Sequence, residues 1–146
     1  MSWPAPKPAD IVWCCVPYDN ADASTSLVRH PALVVAVDDV QALVQVAVMG
    51  GTSHRKSEWG RVKRARKAWD LLLETKDPWF AATGLANDTL FHLDRRYVLP
   101  YTPEHFFATA GGAPKLGVLD DNYPALIDRY RRASLAVRQE KPKLRR

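Results

Sequence analysis

Residues 31–49 carry the pattern that most restricts the fold. Pro31 to Val37 is almost wholly apolar and rich in β-branched side chains, Gln41 to Met49 is a second apolar run, and Asp38 and Asp39 make the turn between them. A run of this kind suits a strand buried on both faces. Two such runs joined by a short acidic turn form an antiparallel hairpin.

The remaining segments supply partners for it. Ile11 to Val16 is short, β-branched and aromatic, and it stops at Pro17 ahead of the polar loop Tyr18 to Ser26. Trp69 to Glu74 reads as a strand, although so short a run also fits a helix continued from the segment before it. Asp77 and Pro78 place a capping residue and a first-turn proline ahead of a one-turn helix over Trp79 to Thr83, with Gly84 as its stop. Thr89 to Leu93 and Arg96 to Leu99 read as two further strands, broken at Pro100 and Pro103. After the loop Gly111 to Pro114 comes a short strand, Lys115 to Leu119. Asp121 or Asn122 then caps a helix that carries Pro124 in its first turn and runs to about Val137. Leu126, Ile127, Tyr130, Ala133 and Val137 share one face of that helix.

With 146 residues the chain is the size of one domain, and 11 prolines against 7 glycines favour many short elements over long helices. The expectation is a mainly β, β-rich α+β protein: a small barrel or strongly curled sheet whose closure hides its edges, with short helices and a C-terminal helix. Residues 1–8, with three prolines, form an extended arm, residues 9–137 the barrel, and residues 138–146 a basic, mobile tail. No internal repeat is present.

No apolar run approaches the roughly 20 residues of a membrane helix, and the N-terminus has no charged segment followed by an apolar one. A soluble, unsecreted protein is expected. Cys14 and Cys15 are the only cysteines and, being adjacent, point to opposite faces of a strand. They complete neither a disulfide framework nor a metal site, which fits a reducing cytoplasm.

The net charge of +5 favours an anionic partner. It is concentrated in one stretch, where Arg55, Lys56, Arg61, Lys63, Arg64, Arg66 and Lys67 face the single acid Glu58. With Trp59 and Trp69 close by, this stretch suits phosphate tracking with base stacking, as single-stranded nucleic acid requires. A solvated face is the plain structural reading of the same run.

Taken in order, the segments ADIVWCCVPYD, RHPALVVAV, VQVAVMGGTS, GLANDTLFHLDRR and YVLPYTPEHF resemble the PemK/MazF growth inhibitors of bacterial toxin–antitoxin systems, over roughly Pro8 to Tyr130. The resemblance implies an SH3-like barrel, a homodimer, metal-independent cleavage of single-stranded RNA, no cofactor, and neutralisation by an antitoxin protein.

Metal-free cleavage needs a base for the 2′-OH, a cation for the charged phosphorane and an acid for the leaving 5′ oxygen. The family's catalytic arginine directly precedes a proline. Here His30 holds that place and Arg29 lies one residue earlier, so either a bulge restores Arg29 or His30 replaces it as base or acid. Thr52 and Ser53 match the hydroxyl residues that hold the scissile phosphate in the family. His92 and Asp94 alternate along one strand and match the place where some members carry an Arg and an Asp that take part in cleavage. Each has a plain structural counterpart: Arg29 solvating a loop, His30 ending a strand, Thr52 and Ser53 in a turn, Asp94 pairing with Arg95 or Arg96. Two other functions share the charge balance: a non-catalytic barrel that grips RNA or a protein partner, and a ribosome-associated or DNA-binding barrel. The latter leaves the motif order unexplained.

Overall fold

The computed structural model describes residues 3–15, 29–49 and 67–140. Among them, β1 (Asp10–Cys14), β2 (His30–Asp38), β3 (Leu43–Met49), β4 (Asp70–Leu73), β5 (Thr89–Pro100) and β6 (Lys115–Val118) make one antiparallel sheet. The strand order is β4-β5-β3-β2-β1-β6, and the helix α1 (Pro124–Glu140) follows. The protein is thus mainly β, a curled half-barrel with a C-terminal helix.

The β2–β3 hairpin forms where the apolar runs place it. Asp38 Oδ1 accepts the N–H groups of Val40 at 3.0 Å and Gln41 at 3.2 Å, and Ala42 takes a left-handed φ of 55° to complete the turn. Alternation along the strands divides the core in two. Ile11, Leu33, Ala47, Phe91 and Leu93 face Leu126, Ala133 and Val137 of α1, together with Trp79 and Phe80. Val12, Ala32, Val34, Val46, Val48 and Leu99 line the other face with Phe106, and Trp3 and Tyr101 pack against them. Each fully buried Leu or Phe here stabilises the fold by about 1.5–3 kcal/mol relative to exposure.

Where two strands were expected over residues 89–99, there is one 12-residue strand, β5. The break in the pattern at Asp94 and Arg95 is a bulge: β3 steps from Ala47 to Val48 while β5 steps from Arg96 to His92. Arg96 holds the bulge by donating from Nε to the Leu93 carbonyl at 2.7 Å and from Nη1 to Gln45 Oε1 at 3.3 Å.

Among the described residues, hydrogen bonding does not close the barrel, since β4 and β6 stand at opposite ends of the strand order. A 3₁₀ turn, Ala81–Thr83, lies against β6 instead. The approach is backbone to backbone: a Cβ at Gly117 would collide with the Ala82 and Thr83 carbonyl groups, and one at Gly84 with the Leu116 carbonyl. Gly84 also ends the turn at φ 72°, as its expected stop role requires, but the turn begins at Ala81 rather than straight after Pro78. Asp77 serves β4 instead, accepting the Glu74 N–H at 3.0 Å.

Packed structure reaches further toward both termini than expected. In the arm, Trp3 packs edge-on against Tyr101 with ring centroids 5.7 Å apart, and the Tyr101 hydroxyl donates to the Pro4 carbonyl at 3.1 Å. The arm is therefore fixed from Trp3, ahead of Ala9. At the other end α1 continues to Glu140, so Arg138 and Gln139 belong to the helix and not to the tail. Its entry turn is set by Asp120, whose Oδ1 accepts the Asn122 N–H at 2.9 Å, in place of the expected cap at Asp121 or Asn122. Among the described residues no helix is long and apolar enough to cross a membrane.

Candidate functional site

The β4–β5 pairing builds a compact polar cluster. Its register sets Leu71 opposite Phe91 and Asp70 opposite His92, and the Leu93 N–H donates to the Trp69 carbonyl at 3.2 Å just beyond. Leu71, Phe91 and Leu93 turn into the core beneath α1, so period-2 alternation sends Asp70, His92 and Asp94 to the opposite face. There His92 Nδ1 lies 2.8 Å from Asp70 Oδ1, and one ligand atom from each of Asp70, His92 and Asp94 falls within 4.8 Å of the other two.

Asp70 is held at both oxygens. Oδ2 accepts the Lys67 N–H at 2.9 Å while the Asp70 N–H donates to the Lys67 carbonyl at 3.1 Å, a reciprocal turn at the start of β4. Lys7 and Asp10 repeat this turn at the start of β1, where the second oxygen of Asp10 meets Lys115 Nζ at 3.4 Å. Burial pushes the Asp70 carboxyl up, but the hydrogen bonds from His92 and Lys67 and the charges of His92 and Arg95 outweigh it. The net effect holds the carboxyl below its ordinary value. Only 3% of the Asp70 side chain is exposed, against 20% for His92, so the imidazole is the member a ligand can reach.

His30 opens β2 on the same sheet face, two residues before Ala32 in the cluster that also holds Val48, the β3 partner of His92. Burial lowers its pKa, which favours the neutral, proton-accepting imidazole at pH 7. Two strand spacings and one two-residue step put its backbone roughly 12 Å from that of His92.

Arg29 goes elsewhere: its guanidinium lies over the Phe107 ring, 4.2 Å from the centroid. The bulge that would restore Arg29 to the place before the proline is absent from the start of β2, where Pro31 and His30 pair in register with Trp13 and Cys14. The adjacent cysteines are poor nucleophiles, as burial pushes the Cys14 thiol up to about 12 and raises Cys15 despite the nearby Arg29. Among the RNA-contact candidates, Lys67 is exposed at the base of the Asp70 turn. Thr52, Ser53, Arg55, Lys56, Trp59, Arg61, Lys63, Arg64 and Arg66 lie outside the described residues.

No protein-family model matches the chain, and a search of the curated proteins returns no match. The PemK/MazF resemblance therefore rests on its ordered motifs. Of the predicted residues, the fold places His92 and Asp94 together and Arg29 over the Phe107 ring. It adds Asp70, which sequence reasoning placed in a strand without a role. Only the β4–β5 register reveals that residue, because 22 positions separate the partners.

Proposed function

We propose that this chain binds single-stranded RNA and cleaves it without a metal ion, with His92 as the proton-transfer group and Asp94 beside it. One observation carries the reading: His92 and Asp94, the pair singled out in the sequence, meet on one sheet face with the imidazole partly open to solvent. A neutral imidazole accepts a proton from a ribose 2′-OH. The 2′-oxygen then forms its bond to phosphorus, the P–O5′ bond breaks with its electron pair on O5′, and O5′ takes a proton from water while the imidazolium returns its own to solvent. The products are a 2′,3′-cyclic phosphate and a 5′-hydroxyl. Net positive charge and the basic stretch up to Lys67 suit the polyanion. In this reading the chain is a growth inhibitor of the cytoplasm that acts as a homodimer and is neutralised by an antitoxin protein.

The test is product chemistry. Long single-stranded RNA incubated in excess chelator should acquire cyclic-phosphate and 5′-hydroxyl ends, and a 2′-deoxy substitution at the scissile nucleotide should abolish the cut. Cleavage that survives the deoxy substitution contradicts the reading.

One feature favours a second reading, a barrel that grips RNA or a protein partner without cutting. Arg29, the residue expected to stabilise the phosphorane, is engaged by Phe107. RNA bound by the pure protein and recovered intact would decide for it.

A further inference from the structure

We propose that Asp70 is the positioning residue of the site: it fixes His92 as the Nδ1–H tautomer and so reserves Nε2 for the substrate's proton. The catalytic use of this arrangement rests on the ribonuclease reading above, whereas the tautomer rests on geometry alone.

A carboxylate has no proton to give, so at 2.8 Å the shared hydrogen must sit on His92 Nδ1. In a neutral imidazole that leaves Nε2 as the sole acceptor. Three features make Asp70 a fixed anchor rather than a mobile surface charge. Its side chain is almost wholly buried, its second oxygen is tied to the Lys67 N–H, and its backbone is paired in register with His92 itself. An exposed ion pair between flexible chains contributes little and sets no ring orientation. Here the β4–β5 ladder fixes both backbones opposite each other, and the Lys67 N–H holds the carboxylate that meets Nδ1. In the cleavage step Asp70 stays ionised. The proton moves from the 2′-OH to Nε2, and the imidazolium that results faces a carboxylate already in place.

The experiment combines nitrogen NMR on histidine-labelled full-length protein with single-turnover cleavage. Wild-type His92 should show the Nδ1–H form when neutral. In Asp70→Asn the carbonyl can keep the Lys67 N–H while the amide NH₂ donates to Nδ1, so the ring should switch to Nε2–H. The cleavage rate at saturation should then fall on the order of 10²–10⁴-fold, with KM within about twofold. Asp70→Glu, which keeps a carboxylate, should retain the tautomer and recover part of the rate. Asp128→Asn, which removes an exposed carboxylate paired with Arg132 on α1, should change neither readout. If Asp70→Asn does not fold, the wild-type spectrum and Asp70→Glu still decide. A wild-type His92 in the Nε2–H form, or an Asp70→Asn protein that cleaves at the wild-type rate, overturns the proposal. A wild type with the expected tautomer that cuts no RNA refutes the ribonuclease reading and the catalytic use of Asp70, and leaves the tautomer assignment standing.

Discussion

Replacing Gly117 with alanine tests how the half-barrel is closed. The new Cβ would overlap the carbonyl groups of Ala82 and Thr83, which are backbone atoms of a 3₁₀ turn and cannot rotate aside as a side chain would. Relief requires the turn to lift from β6, and that strains the packing of Trp79 and Phe80 just before it in the core. Overpacking of this kind costs about 1–3 kcal/mol, and the backbone nature of the clash puts this site near the top, about 3 kcal/mol. Unfolding entropy of about 2.1 cal/mol/K per residue over 146 residues makes 1 kcal/mol worth about 3 °C in Tm. Gly117→Ala should therefore melt about 10 °C below the wild type in a calorimetric or circular-dichroism scan. Gly111→Ala is the control, because its Cβ would meet only Thr109 Oγ1 at 3.7 Å, an ordinary contact. It should melt within about 2 °C of the wild type. A Gly117→Ala protein with the Tm of the control would refute the seam.

Three further measurements test the burial and charge of the protein. Because the Asp70 carboxyl is held below its ordinary value of 3.8, its stabilising contribution is complete above that pH and is lost as pH falls through the lowered value. The stability gap between wild type and Asp70→Asn should thus narrow on acidification from pH 5 to pH 2 in denaturant titrations; a gap that widens is the wrong sign. Cys14, with its thiol pushed up to about 12, should resist a thiol reagent at pH 7 until the protein is unfolded, and rapid labelling of the native protein would contradict its burial. RNA affinity should fall with salt at a log–log slope of about −4, as six or so phosphate contacts to a single strand imply, and a flat response would remove the electrostatic basis of RNA binding.

The fold was legible where local pattern and tertiary role coincide. The β2–β3 hairpin, the short β4 and the buried face of α1 each follow from apolar spacing plus a turn residue, and each is present. Sequence pattern failed where long-range pairing decides. At Asp94 and Arg95 the polar pair looks like the end of a strand, yet Arg96 bridges the bulge to Gln45 on a neighbouring strand and the ladder resumes. The arm before Ala9 looks like a bare proline segment, but Trp3 finds Tyr101 nearly a hundred residues away.

The candidate site divides in the same way. His92 and Asp94 were visible because two residues on one strand share a face by geometry alone. Asp70 was invisible, because its role depends on which residue of β5 it opposes, and a slip of one position would turn it into the core. Arg29 and His30 looked interchangeable in sequence. As consecutive extended residues they diverge, one to Phe107 and the other to the face that carries Val48 and His92.

Whether His92 moves the proton in RNA cleavage is decided by a single-turnover comparison of wild type and His92→Ala on one long single-stranded RNA in excess chelator. The wild type should cut, and His92→Ala should be slower by about a hundredfold or more while it stays folded and keeps its RNA affinity. A folded His92→Ala protein that cuts at the wild-type rate would contradict that role.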